Sequence, residues 1–128
     1  MKRRFVELGL VAVVLGVLVL LYHGPGRGIV RGHVGDVAAT MLVYALIGLA
    51  SQARIAVRAS VTMAIAVAIE LGQTWWKIDS SAGSLLLGTT FDPWDLVAYA
   101  IGIAIAVVWE RATDAAAASR RDPASSGV

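Results

Sequence analysis

Apolar residues run almost unbroken through four stretches of the chain, roughly Phe5 to Tyr22, Asp36 to Ala50, Ile55 to Trp76 and Pro93 to Trp109. At about 1.5 Å of rise per residue, a helix needs about 17 or more residues to cross the hydrocarbon layer. The second stretch is short for that, which predicts either local thinning of the bilayer or extension back into "RGHVGD". All four are expected to be helices, because lipid offers no partner for a free backbone amide. The pattern predicts an all-α, polytopic membrane protein: a four-transmembrane-helix bundle over residues 1–112. A disordered cytoplasmic tail is expected over residues 113–128, where apolar periodicity gives way to small polar residues.

The polar segments between the spans set an orientation. "MKRR" before an apolar run resembles a signal peptide, but the exit "LLYHGPGRG" has no small-x-small cleavage site, so an uncleaved first span is expected. Four spans place both termini on one side. That side then holds Lys2, Arg3, Arg4, Arg54, Arg58, Arg111, Arg120 and Arg121, against Arg27, Arg31 and Lys77 on the other. The imbalance predicts cytoplasmic termini and a multi-pass location in the bacterial inner membrane. Trp75, Trp76 and Trp94 are then expected at the outer interface and Trp109 at the inner one. "HGPGRGIVRGHVG" reads as a bent outer loop; no strand precedes it, which argues against a phosphate-cradling loop. "SSAGSLLLG", Ser80 to Gly88, is expected either to dip into the outer leaflet as a short helix or to cap the bundle.

Composition agrees with a chain whose outer surface meets lipid. Of 128 residues, 58% are hydrophobic and only 16% charged, well below the roughly 25% of a soluble domain. The mean hydropathy is +0.74. The absence of cysteine excludes disulfide frameworks and thiolate chemistry. The net charge of +2 is small and the basic residues cluster at span ends, which suits anionic lipid and not nucleic acid.

Within this apolar frame the acids stand out. Glu70 lies roughly 18 Å along the third helix from Arg58 and roughly 7 Å short of Trp75, inside the hydrocarbon zone. An unpaired charge there costs about 2.5 kcal/mol or more, so Glu70 is expected to face protein or a water-filled cavity. Gln73 shares its face. On another face Ser60, Ala64, Ala68 and Gly72 form a row of small residues that lets helices approach closely, which predicts a central position for the third helix. In "FDPWDLVAYAIG", Asp92 fits an N-cap before Pro93, and Asp92, Asp95, Tyr99, Gly102 and Ala106 fall within a sector of about 80°. Asp36, Thr40 and Tyr44 share a similar sector of the second helix, with His33 and Arg31 just before it.

Topology brings the start of the second helix, the end of the third and the start of the fourth to one face. Asp36, Glu70, Gln73, Asp92, Asp95 and Tyr99 are therefore the candidate ligand-binding residues, with Arg27, Arg31 and Lys77 as candidate headgroup contacts. Each residue also has a purely structural reading. Capping and dipole complementarity account for Asp36, Asp92 and Asp95 one at a time. Interhelical hydrogen bonds, about 0.6–2 kcal/mol each, account for Glu70 and Gln73. His33 reads as an interfacial loop residue, and Tyr99 as a core aromatic with its hydroxyl bonded to a neighbour.

At these residues the chain resembles the VanZ-like group of small bacterial membrane proteins, and is most similar to the subgroup catalogued as domain of unknown function 2809. The resemblance covers roughly Gly35 to Val107 and is carried by "GD" at Gly35–Asp36, "ELGQ" at Glu70–Gln73 and "LLLGTTFDPWDLVAYAIG" from Leu85 to Gly102. It implies a small multi-spanning helical protein with no established reaction. The VanZ relatives imply a cell-envelope role linked to low-level resistance to a lipoglycopeptide antibiotic.

Three functions are compatible with the pattern. The first is binding of an envelope lipid or lipid-linked precursor at an acidic outer-leaflet pocket by a protein that is not an enzyme, with no cofactor and no metal, membrane lipids as partners, and assembly as a homo-oligomer or in a larger envelope complex. The second is metal-dependent hydrolysis or transfer on a lipid phosphate, since carboxylates and His33 suit Mg²⁺ or Mn²⁺; no HExxH run and no nucleophilic serine motif supports it, and no catalytic residue is assigned. The third is proton- or cation-coupled transport, which expects a further acid deep in the inner half, where Glu7 and Glu110 lie only near the interface.

Overall fold

The computed structural model describes residues 2–78 and 93–121, with side chains described over residues 2–72 and 93–120. These form helices α1 (Arg3–Leu21), α2 (Arg27–Ala50), α3 (Ile55–Ile78) and α4 (Pro93–Arg121). All four are long and apolar enough to cross a membrane, α3 over Ile55–Gly72 and α4 over Pro93–Arg120. The polarity of a soluble bundle is inverted: Leu10, Val14, Leu18 and Leu21 of α1 and Val108 of α4 are exposed, as befits helices solvated by acyl chains.

The short second stretch gains its length by extension. Helix α2 starts at Arg27, inside the glycine-rich segment expected to be a loop, so the loop shrinks to the residues around His23–Gly26. The reversal needs one left-handed residue, and Gly26 supplies it with φ +72°. Tyr22 donates from its hydroxyl to the Pro25 carbonyl at 2.8 Å and closes the turn. Val30–Val34 widens into a single π-helical turn before regular α geometry resumes at Gly35.

Helix α2, not α3, is central: it packs against α1, α3 and α4. Phe5, Leu8 and Ala12 of α1 meet Met41, Tyr44 and Ala45 of α2 and Ala106 of α4 in one buried cluster. Small residues set the helix spacing. A side-chain carbon at Gly48 would overlap the Phe5 ring; one at Gly102 would overlap Thr40 Oγ1 and lie 2.7 Å from the Val37 carbonyl oxygen.

The small row of α3 faces outward. Ser60, Ala64, Ala68 and Gly72 are exposed, the first three lining an open apolar groove with Ala100 and Ala104 of α4. The buried row is Arg58, Thr62 and Ala66, with Glu70 half-buried. The two rows lie two residues apart, about 200° around the helix, so only one can face the bundle. The polar row wins, because exposed alanine costs nothing in lipid and exposed charge does.

Arg58 is 3% exposed and Glu110 likewise 3%. Arg58 Nη1 donates to Glu110 Oε2 at 2.5 Å, Tyr44 donates from its hydroxyl to the same oxygen at 2.5 Å, and Arg4 Nη2 reaches Glu110 Oε1 at 3.3 Å. The Arg58 guanidinium lies 4.7 Å from the Phe5 ring centroid and 5.4 Å from that of Tyr44. One cluster thus ties all four helices at one end.

Helix α4 continues through Arg121, so residues 113–121 are helical where a disordered tail was expected. The alanine run favours helix, Thr113 donates to the Trp109 carbonyl at 2.9 Å, and Asp114 pairs with Arg4. Residues 122–128 and the Ser80–Gly88 segment lie outside the described residues.

Two stability predictions follow from this packing, both read as shifts in detergent-unfolding midpoints. Gly102→Ala should destabilise by about 1–3 kcal/mol through overpacking, whereas Gly16→Ala, with open space around it, should stabilise by about 0.5–1 kcal/mol. Glu110→Ala should cost about 3–5 kcal/mol by stranding Arg58, and the paired replacement Arg58→Met with Glu110→Leu should recover most of that loss.

Candidate functional site

At the opposite end of the bundle the first regular turn of α2, the turn of α3 that ends at Glu70 and the first turns of α4 come together. Asp36, Thr40 and Val43 of α2, Ala66, Ile69 and Glu70 of α3, and Tyr99 of α4 enclose a cavity of about 170 Å³. Helical spacing explains the convergence. Asp36, Thr40 and Val43 share a stripe of α2, and Ala66 and Glu70 are one turn apart on α3. Thr40 Oγ1 donates back to the carbonyls of Asp36 at 2.9 Å and Val37 at 3.0 Å. Its hydroxyl is thereby satisfied within its own helix.

Tyr99, 6% exposed, donates from its hydroxyl to Glu70 Oε2 at 3.0 Å and joins α4 to α3. Asp95 stands one turn before Tyr99. Its carboxyl lies within 4.8 Å of that of Asp36, and its Oδ1 lies 3.5 Å from His33 Nδ1. His33 sits in the π turn of α2, a distortion that is frequent at functional sites. One ligand atom from each of His33, Asp36 and Asp95 lies within 4.8 Å of the others.

Among the described residues the cavity wall holds two carboxyls and a phenol, with no lysine or arginine. Its chemistry is that of an acceptor: it suits an amine, a sugar hydroxyl or a metal cation. His33, Asp36 and Asp95 are the side chains able to hold a metal, each offering one ligand atom.

The sequence-derived set is placed as follows. Asp36, Glu70 and Tyr99 line the cavity, and Asp95 lies beside Asp36 without lining it. Arg27 and Arg31 are exposed on the first turns of α2, near His33 in the chain but outside the cavity wall. Gln73 and Lys77 belong to α3, but their side chains lie outside the described residues, as does the whole of Asp92. His33, read from the chain as a loop residue, is helical and in contact with Asp95.

Sequence reasoning missed the Arg58–Glu110–Tyr44 cluster. The signal was present: extending the Asp95, Tyr99, Gly102, Ala106 stripe by one more turn reaches Glu110, and the Asp36, Thr40, Tyr44 stripe ends at its partner. Arg58 counts as a membrane-edge charge in a topology argument, and that reading concealed its burial.

No curated protein and no solved structure matches the chain. A family model described as a protein of unknown function (DUF2809) matches residues 26–103, from the turn before α2 to the middle of α4 and so across every residue of this cavity, and the chain therefore belongs to that family.

Proposed function

We propose that this small integral membrane protein binds the polar part of an envelope lipid or lipid-linked precursor, holding an amine or hydroxyl group in the cavity between α2, α3 and α4. It acts as a binding protein and not as an enzyme. The observation that supports this most directly is the set of acceptors from three separate helices, Asp36, Glu70 and Tyr99, around one partly open space within the apolar spans. Arg27 and Arg31, exposed beside it on α2, suit the phosphate of the same ligand, with Lys77 as a third contact. The lysine and arginine imbalance supports a bacterial inner-membrane location with cytoplasmic termini, which puts this cavity in the outer leaflet. The VanZ resemblance favours a role in the cell envelope.

Losing a charge-assisted hydrogen bond costs about 1.5–3 kcal/mol, a fall in affinity of about tenfold or more. The double variant Asp36→Asn/Glu70→Gln should therefore lose most of its co-purified lipid, measured by mass spectrometry, at an unchanged melting temperature. Equal lipid retention by the folded variant removes this reading.

A second reading has its own observation in the close grouping of His33, Asp36 and Asp95. These residues could hold Mn²⁺ or Mg²⁺ for hydrolysis or transfer on a lipid phosphate. Titration of Mn²⁺ followed by electron paramagnetic resonance should then show one bound ion per chain, lost in Asp95→Asn. An unchanged free-ion spectrum rules it out.

A further inference from the structure

We infer that the other end of the bundle carries a second binding site, for a phosphate-type anion, independent of the cavity described above. A space of about 340 Å³ lies between the start of α1, the connection of residues 51–54, the start of α3 and the far end of α4. Lys2, Arg4, Arg54 and Arg58 line it, against Glu110 and Asp114. Among the described residues Glu110 pairs with Arg58 and Arg4, and Asp114 with Arg4. Lys2 and Arg54 form no ion pair among those residues, so the wall keeps a cationic surplus.

Two buried donors of residues that line this space lack acceptors among the described residues. Arg58 donates from Nη1 to Glu110 and from Nη2 to the Ala53 carbonyl at 2.7 Å. Its Nε finds no acceptor among the described residues, although the side chain is only 4% exposed. Arg4 Nε is in the same condition. A buried N–H without an acceptor is rare and calls for an explanation, and both of these belong to residues that line this space. The amino end of α3 supplies a third element. Ile55, its first residue, lines the same space, and the first-turn N–H groups of a helix lack intrahelical acceptors and form the positive end of its dipole.

General attraction to an anionic membrane surface needs only exposed lysine and arginine. Here two guanidinium groups are instead held in place by Glu110, Asp114 and the Ala53 carbonyl, and fixed guanidinium groups match phosphate oxygens geometrically. The ligand class is a phosphate group, carried by a lipid or free in solution.

The test uses the full chain in a nonionic detergent. Inorganic phosphate is titrated against chloride at matched ionic strength while the melting temperature is read, and native mass spectrometry compares retention of phosphatidylglycerol with that of phosphatidylcholine. The expected result is a saturable rise in melting temperature with phosphate, one retained phosphatidylglycerol, or both. In Lys2→Ala/Arg54→Ala, which leaves the Arg58–Glu110 pair intact, binding should weaken about tenfold or more at an unchanged unliganded melting temperature. Binding of both probes assigns the site to the phosphate group itself, phosphatidylglycerol alone to a lipid headgroup, and phosphate alone to a soluble ligand. No saturable binding of either, or equal binding by the double variant, overturns the proposal.

Discussion

The ion pair between Arg58 of α3 and Glu110 of α4, with Tyr44 of α2 donating to the same carboxylate oxygen, is the contact around which the four helices are arranged. Helix α1 completes it through Arg4 and the ring of Phe5. In lipid an apolar side chain gains little by facing inward, because acyl chains solvate it as well as protein does. A guanidinium or carboxylate gains a great deal, since the alternative is hydrocarbon. The orientation of α3 about its own axis follows. It turns Arg58, Thr62 and Glu70 toward the bundle and leaves its small residues outside.

The same logic makes the two ends of the bundle different in kind. Around Glu110 every acid has a cationic or hydroxyl partner, and the surplus is positive. Around Asp36, among the described residues, the acids lie close together beside a phenol and a histidine. Glycine permits the tightest approaches at Gly48, where α2 meets Phe5, and at Gly102, where α4 meets Thr40.

Much of this was legible in the chain. Four apolar runs specify four spanning helices, because lipid permits no other backbone arrangement at that depth. The parity of the spans brings the start of α2, the end of α3 and the start of α4 to one face, so the meeting of Asp36, Glu70, Asp95 and Tyr99 could be reached from spacing and topology. Which row of α3 faces inward could not be read from small residues alone: their rule describes close packing, and it yields where a charged row competes for the same interface. The length of α2 and α4 was underestimated for a related reason. Glycine after Gly26 and alanine after Thr113 do not look membrane-spanning, yet neither breaks a helix that is already propagating. Only the folded arrangement decided that Arg58 and Glu110, fifty-two residues apart, meet in a buried pair, because two charges near span ends read as surface residues until the neighbouring helices close over them.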